Sequence, residues 1–139
     1  MSVLLDVNVL VAAHRVDHPA HTRCLALVDG PLRNGFALCP HVWNGFLRLV
    51  THASVFKRPS PIDVALAAIS GWRDRPHSEV LPETAATWDA FTRLCRQQQA
   101  QGNAVYDLHL AALAIAHDRT LVSSDQGFSH IIGLSWNAP

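Results

Sequence analysis

The sequence predicts an α/β fold of three layers, in which helices cover both faces of a mainly parallel central sheet. Short apolar runs alternate with longer segments whose apolar residues recur at helical spacing, and the connections between them are short. This alternation is typical of consecutive strand–helix–strand units, whose parallel strands are buried on both faces. The chain has 139 residues, of which 49% are hydrophobic, so one compact domain over residues 1–139 is expected.

The elements follow from apolar runs and their borders. Predicted strands are residues 2–6, 36–39, 79–81 and 120–123, with a weaker edge strand at 134–136. Predicted helices are residues 7–14, 18–28, 40–50, 61–75, 84–99 and 104–118, with a helical turn at 127–131. Pro40 is tolerated in a first helical turn. Ser60 is predicted to cap the fourth helix, with Asp63 at the acidic position behind it.

Composition excludes several classes of protein. The formal net charge is zero, and Lys57 is the only lysine beside ten arginines, so a globally basic nucleic-acid binder is excluded while a local arginine patch is not. Cys24, Cys39 and Cys95 are an odd number without a Cys-x-x-Cys pair, which predicts buried free thiols in a reducing compartment. No apolar run approaches the roughly 20 residues of a membrane span. A soluble, cytoplasmic protein is therefore expected.

Three aspartates at the borders of apolar segments are the main candidates for catalytic residues. Asp6 ends the first predicted strand, Asp125 follows the fourth, and Asp107 precedes the apolar helical run to His117. Ligands of parallel sheets collect outside the carboxyl ends of the strands, so these carboxylates are expected to meet there. Their repulsion calls for a cation, and Mg²⁺ prefers oxygen ligands. Asp6, Asp107 and Asp125 are predicted as metal ligands and catalytic residues for phosphodiester chemistry, with Mg²⁺, or Mn²⁺, as the ion.

Each aspartate also has a purely structural interpretation. Asp6 is placed to cap a helix, Asp107 to complement a helix dipole in a first turn, and Asp125 to stabilise a turn. These interpretations stay open for each residue taken alone.

Neighbouring polar residues are predicted to support the carboxylates or to contact a phosphate group. The predicted supporting residues are Asn8, Asn44, Ser123 and Ser124. The candidate substrate contacts are Arg15, Arg48 and His109, since arginine suits phosphate contacts and histidine suits proton transfer. A salt bridge or a solvated surface position is the competing interpretation for the arginines.

Three segments resemble a known family. They are SVLLDVNVLVAAH, PHVWNGFLRLVTH and AVYDLHLAALAIAHDRTLVSSDQGF, which together run over nearly the whole chain. They resemble a PIN domain, and more narrowly the VapC-type toxin of bacterial toxin–antitoxin pairs. The resemblance implies a metal-dependent endoribonuclease acting on cellular RNA, a homodimer, and inhibition by a VapB-type antitoxin. With RNA as the substrate, Arg15, Arg48 and His109 become candidate RNA contacts. Its acidic positions match Asp6, Asp107 and Asp125, and its small hydroxyl residue matches Ser123.

One position departs from the family pattern. The family generally carries a fourth acid, a glutamate, where this sequence has Gly45 with Asn44 beside it. The departure removes one negative charge and weakens a strict two-metal scheme, although Asn44 or water could supply a neutral oxygen. Two function classes follow: a one-metal ribonuclease, or a catalytically weakened module that binds RNA or an antitoxin without cleaving.

Other site classes find less support. His14, His18 and His21 invite a zinc site, but Pro19 interrupts the helix and no His-Glu-x-x-His pattern occurs, so surface histidines are favoured. No Gly-x-Ser-x-Gly, Gly-x-Gly-x-x-Gly or P-loop pattern is present. A phosphoacceptor receiver domain requires a late lysine that this chain lacks. The tryptophans are predicted to pack in the core or an interface; they are Trp43, Trp72 and Trp88.

Overall fold

A five-stranded sheet forms the centre of the computed structural model, which describes residues 2–139. Its strands are β1 (Val3–Leu5), β2 (Ala37–Leu38), β3 (Glu79–Val80), β4 (Thr120–Val122) and β5 (Trp136–Asn137). Their order across the sheet is β3-β2-β1-β4-β5, and every neighbouring pair is parallel. The predicted three-layer α/β fold with a mainly parallel sheet is confirmed.

Six helices flank the sheet. They are α1 (Val7–His14), α2 (His21–Asp29), α3 (Pro40–Val50), α4 (Ile62–Arg73), α5 (Ala85–Gln98) and α6 (Asn103–Ala116), and a short 3₁₀ helix covers Gln126–His130. Helix α1 packs on α2 and α3, α3 packs on α4, and α5 packs on α6. Across residues 2–139, no helix combines the length and the hydropathy that crossing a bilayer requires.

The strand order reverses direction between β1 and β4. The chain first builds β2 and β3 on one side of β1, and then places β4 and β5 on the other. Such a switch point leaves a crevice at the carboxyl ends of the two central strands, where α/β proteins bind ligands. The backbone N–H of Asp6 donates to Val122 O at 3.0 Å, so the residues that follow β1 and β4 start at the same level.

The core beside this crevice is aromatic. Phe46 of α3 is fully buried, and its ring lies 5.3 Å from the His14 ring and 5.2 Å from the Trp72 ring. Trp72 is therefore a core residue, as predicted, whereas Trp88 keeps 58% of its surface exposed. The core positions α1 and α3, which form two walls of the crevice.

The thiols are free, as predicted. Cys24 and Cys39 are buried and Cys95 is partly buried. Burial raises the pKa of the Cys39 thiol to about 11, so it remains protonated and chemically inert at neutral pH.

Two predictions at helix starts are wrong. The cap position of α4 is Pro61, and the Ser60 hydroxyl instead lies 3.0 Å from His14 Nε2 and accepts a hydrogen bond from Arg15 Nη1 at 3.0 Å. Helix α6 begins at Asn103, so Asp107 lies in its second turn rather than at its start. At Ser60, contacts with residues far along the chain override the local capping pattern. At Asp107, the helix starts earlier than the local pattern indicated.

Truncation of the buried aromatic core is expected to destabilise the fold. Phe46→Ala should lower the free energy of unfolding by about 3–5 kcal/mol, because it leaves a cavity between α1 and α4. Urea denaturation measures this loss. Ile132→Ala, at a residue that is 82% exposed and follows the 3₁₀ helix, is the control and should change stability by no more than about 0.5 kcal/mol. An equal, small loss in both variants would contradict the assigned core.

Candidate active site

A cavity of about 540 Å³ opens at the carboxyl ends of β1 and β4. All three predicted aspartates line it. Its wall comprises Asp6, Val7, Asn8, Val11, His18, Gly45, Arg48, Leu49, Val55, Phe56, Tyr106, Asp107 and Asp125. The cavity thus holds three carboxylates, and Arg48 is the one arginine in its wall.

Asp6 combines a structural contact with a place in the cavity. Its Oδ1 accepts from the backbone N–H of Val7 at 2.7 Å, which caps α1, and its Oδ2 accepts from Ser123 Oγ at 2.7 Å and Asn8 Nδ2 at 3.3 Å. Burial raises the pKa of the Asp6 carboxyl, the bonds from Ser123 and Val7 oppose this, and the charge of Asp125 raises the pKa further. A carboxylate has about four acceptor sites, so capacity for one more partner remains.

The Ser123 hydroxyl ties the start of α1 to the end of β4. Ser123 is fully buried, and besides donating to Asp6 it accepts from Asn8 Nδ2 and from the backbone N–H of Asp125, both at 3.0 Å. Asn8 Oδ1 accepts from the backbone N–H of Ser124 at 3.1 Å. The network therefore fixes the position of Asp6 relative to Asp125. Ser124 joins it through its backbone, and the residue itself is exposed.

Asp107 is the carboxylate whose raised pKa no hydrogen bond opposes. Burial is the largest cause that raises the pKa of its carboxyl, followed by the charges of Asp6 and Asp125, and no hydrogen bond acts to lower it. Helix α6 holds this side chain at the cavity wall, facing two other negative charges. A carboxylate in this environment is stabilised by a cation.

Asp125 lies at the rim. Its Oδ1 accepts from the backbone N–H of Gly127 at 2.8 Å, so it caps the 3₁₀ helix as the structural interpretation required. It also lines the main cavity and, together with Asp107, a neighbouring cavity of about 150 Å³. The structural role and the place in the site coexist, as they do at Asp6.

The donor set fits a hard cation that retains water. Within residues 2–139, no three His, Cys, Asp or Glu side chains form a ready-made metal cluster. Mg²⁺ commonly binds through one or two carboxylates and keeps several waters, so Asp6 and Asp107 suffice as its protein ligands. A tightly chelated ion such as structural zinc, which requires four protein ligands, does not fit.

Close packing of α3 against α1 explains why position 45 carries a glycine rather than the fourth acid. A Cβ atom at this position would lie 2.7 Å from Val7 Cγ2 and 3.5 Å from Tyr106 Oη. The close contact between α3 and α1 therefore accommodates glycine and leaves no room for a longer side chain unless Val7 moves. Asn44 does not fill the gap, because it is exposed and lies outside the cavity wall.

Arg15, a candidate RNA contact, is occupied by structural contacts. Its guanidinium donates to both carboxylate oxygens of Asp17 at 2.9 and 2.8 Å and to Ser60, and it stacks over the Phe56 ring at 4.2 Å. Phe56 belongs to the cavity wall. Arg15 therefore holds the loop of residues 51–60 against α1. Through its contact with Phe56, it also maintains the shape of the cavity wall.

The other two candidate RNA contacts lie apart from each other. Arg48 is exposed and lines the cavity, where a phosphate could reach it. His109 lies outside the cavity, and its Nε2 lies 3.0 Å from Glu83 Oε1. Of the three candidates, Arg48 is the one that the fold places beside the carboxylates.

The three early histidines make separate contacts. His14 Nε2 lies near Ser60, His21 Nδ1 lies 2.9 Å from Ala12 O, and His18 Nδ1 accepts from the backbone N–H of Ala20. All three side chains are partly buried rather than fully solvated.

Tyr106 and the loop residues Val55 and Phe56 belong to the wall, although sequence reasoning missed them. Tyr106 is the only tyrosine in the chain and directly precedes Asp107. That position was the one signal that could have indicated it. Nothing local marks Val55 and Phe56, since the loop reaches the cavity through tertiary contacts.

Comparison with known proteins places this site in a family. The family model of the PIN domain matches residues 3–134. The chain belongs to the PIN-domain family. Ribonuclease VapC37 of Mycobacterium tuberculosis is 33% identical, with 98% of this chain and 96% of the relative covered. Ribonuclease VapC31 of the same organism is 36% identical, with 91% and 90% covered.

Solved structures show the same fold. The VapBC2 complex of Rickettsia felis, bound to a promoter DNA fragment, aligns with a TM-score of 0.68 at 22% identity, over 99% of this chain and 98% of that chain. VapBC-1 of nontypeable Haemophilus influenzae aligns with a TM-score of 0.67 at 18% identity, with 99% and 98% covered. The PIN fold of this chain is thus shared along its length.

Removal of the Ser123 hydroxyl is expected to raise the pKa of the Asp6 carboxyl further. Ser123→Ala deletes a donor that favours the ionised form, so protonation should occur at higher pH. Titration of the Asp6 carboxyl carbon by NMR measures the midpoint. Ser124→Ala is the matched control and should leave the midpoint in place, because the backbone N–H of Ser124 makes the contact to Asn8. Equal midpoints in both variants would contradict the assigned network.

Proposed function

We propose that this PIN domain is the toxin of a toxin–antitoxin pair and a Mg²⁺-dependent endoribonuclease that hydrolyses phosphodiester bonds in cellular RNA. The observation that carries the proposal is the environment of Asp107. This carboxylate is half-buried, no hydrogen bond opposes its raised pKa, and it lines one cavity with Asp6 and Asp125. The relatives named as VapC ribonucleases, at 33–36% identity over most of the chain, support the same reaction.

Each residue has a distinct task. Asp6 and Asp107 would hold Mg²⁺, or Mn²⁺, and Arg48 would contact a phosphate oxygen of the RNA. The ion, when bound, offsets charge on the scissile phosphate and lowers the pKa of a water molecule. Asp125 orients the attacking water from the rim. Ser123 and Asn8 act through Asp6, whose carboxylate they hold in place.

Loss of either primary carboxylate should abolish cleavage. Asp6→Asn and Asp107→Asn each remove a charged ligand with little change in shape, and the cleavage rate should fall by at least about 100-fold. Cleavage of labelled RNA with Mg²⁺, and with EDTA, measures the effect. Asp89→Asn, at an exposed aspartate of α5, is the control and should retain full activity. Full metal-dependent cleavage by Asp107→Asn would disprove the assigned mechanism.

The alternative function is a weakened module that binds RNA or an antitoxin without cleaving, and Gly45 is the observation that favours it. The missing acid lowers the charge of the cavity, and the contact with Val7 excludes a simple replacement. A wild-type protein that binds RNA but leaves it intact under all divalent ions would favour this alternative.

Restoring the fourth acid should strengthen metal binding only when space is made for it. The Val7→Ala, Gly45→Glu double variant is expected to bind Mn²⁺ several-fold more tightly than Val7→Ala alone, because a further carboxylate faces the cavity. Gly45→Glu alone should lose stability through the Val7 clash. Isothermal titration with Mn²⁺ and urea denaturation provide the two measurements. Equal Mn²⁺ affinity in the double variant and Val7→Ala would mean that position 45 does not face the ion.

The proposal extends to partners and compartment. The similar solved structures are VapBC complexes, which supports a VapB-type antitoxin as the partner of this chain. The proposal also includes a homodimer. It includes a cytoplasmic location as well, because cellular RNA is the proposed substrate. Exposed apolar side chains of α4, among them Ile62, Val64 and Leu66, offer a surface for protein contacts. Growth arrest on expression, relieved by the product of the neighbouring small gene, would identify the toxin.

A further inference from the structure

His18 lines the cavity of the three aspartates. It belongs to the short connection between α1 and α2, and its side chain is partly buried. Arg48 of α3 lines the same cavity. The connection therefore brings an imidazole ring into the space that the carboxylates and this guanidinium share.

The backbone of His18 is held on both sides. Its N–H donates to Arg15 O at 3.1 Å, and its carbonyl accepts from the N–H of His21 at 3.0 Å. Pro19 follows directly, and a residue before proline has a restricted backbone. The side chain thus starts from a fixed position, which reduces the entropic cost of ordering it when a ligand binds.

The hydrogen bond of the ring fixes its tautomer. His18 Nδ1 accepts from the backbone N–H of Ala20 at 3.0 Å, and within residues 2–139 this is the one hydrogen bond of the ring. A ring nitrogen that accepts such a bond carries no proton, so the proton of the neutral ring lies on Nε2. His18 therefore presents a donor, and no acceptor, at its outer nitrogen.

This tautomer excludes two familiar roles of histidine. A metal ligand binds through the lone pair of a ring nitrogen, and a general base must accept a proton. Nε2 can do neither while it carries its proton. A neutral imidazole is also too weak an acid to give that proton away, so donation of a hydrogen bond is the role that remains.

Few side chains of the cavity wall are able to donate to a ligand. The Tyr106 hydroxyl donates to a backbone carbonyl of α3, and the Asn8 amide donates within the network around Asp6. Among the polar wall residues of the described chain, Arg48 and His18 are the two that remain. A phosphate that enters between three carboxylates requires donors of this kind.

We propose that His18 is a catalytic residue of the ribonuclease, whose Nε2–H donates to a non-bridging oxygen of the scissile phosphate. This inference rests on the proposed function and adds a residue to its site. A donor that is already in position stabilises charge on a transferring phosphoryl group without reordering during the reaction. Because the ring is neutral, it also does not form an ion pair with Asp6 or Asp107, which a cationic side chain would do at the expense of the metal ion.

The tautomer is tested in the protein without RNA. Long-range ¹H–¹⁵N correlation NMR at mildly alkaline pH shows which ring nitrogen of each histidine carries the proton, and the spectrum of His18→Asn identifies the signals of His18. We expect the proton on Nε2. A proton on Nδ1 would overturn the proposal, because the outer nitrogen would then be an acceptor.

Two substitutions separate the roles of the ring nitrogens in cleavage. His18→Asn keeps an acceptor near the position of Nδ1 for the N–H of Ala20 and removes the outer donor. His18→Gln places an amide donor near the position of Nε2. His77→Asn, at an exposed histidine outside the cavity wall, is the control.

We expect His18→Asn to lower the rate of Mg²⁺-dependent RNA cleavage by about 10- to 150-fold, the range of one hydrogen bond to a charged group. His18→Gln should recover most of this loss, and His77→Asn should match the wild type. The Mn²⁺ affinity of His18→Asn by isothermal titration and its stability in urea should equal those of the wild type.

Three results would overturn the role of His18. The first is full activity of His18→Asn. The second is an equal loss in His18→Asn and His18→Gln. The third is a loss that accompanies weaker Mn²⁺ binding or lower stability, which would assign His18 to the metal site or to the fold.

The ribonuclease and the contact of His18 fail in different ways. If wild-type protein cleaves RNA and His18→Asn cleaves it at the same rate, the contact is wrong and the ribonuclease stands. If wild-type protein leaves RNA intact but His18→Asn weakens its binding of a short fluorescently labelled RNA, the reaction is wrong and the phosphate contact stands. If wild-type protein cleaves no RNA and His18→Asn does not change binding, both are wrong.

Discussion

Repulsion among the three carboxylates that line the cavity is the constraint on which the site depends. The fold places Asp6, Asp107 and Asp125 around one cavity, and burial together with their charges raises the pKa of Asp6 and of Asp107. Such an arrangement costs stability, and it persists because Ser123 and Asn8 hold one member by hydrogen bonds. Strain of this kind is typical of functional sites rather than of structural ion pairs.

The walls of the cavity are set by packing, and packing also limits its charge. Helix α3 lies so close to α1 at Gly45 that even a Cβ atom meets Val7. The site therefore holds three carboxylates where the family pattern has four acids, and it suits an ion that keeps much of its water. On the opposite side, Arg15 holds the loop that carries Phe56, so a guanidinium that could have met phosphate maintains the shape of the cavity instead.

Charge and aromatic character are segregated on either side of Tyr106. Carboxylates and Arg48 line the cavity, and the rings of Phe91, His41, His109 and Tyr106 line the neighbouring groove.

The sequence by itself determined the fold class, the order of the elements and the three aspartates. Buried parallel strands and their polar ends are local patterns, and neighbouring parallel strands necessarily bring their carboxyl ends to one edge of the sheet. Only the tertiary structure decided which partner each side chain meets. Ser60 contacts α1 rather than capping α4, Arg15 is occupied by structural contacts, and the rings of Phe91 and His109 meet across two helices. Such contacts join residues far apart in the chain, and no local pattern encodes their distance or direction.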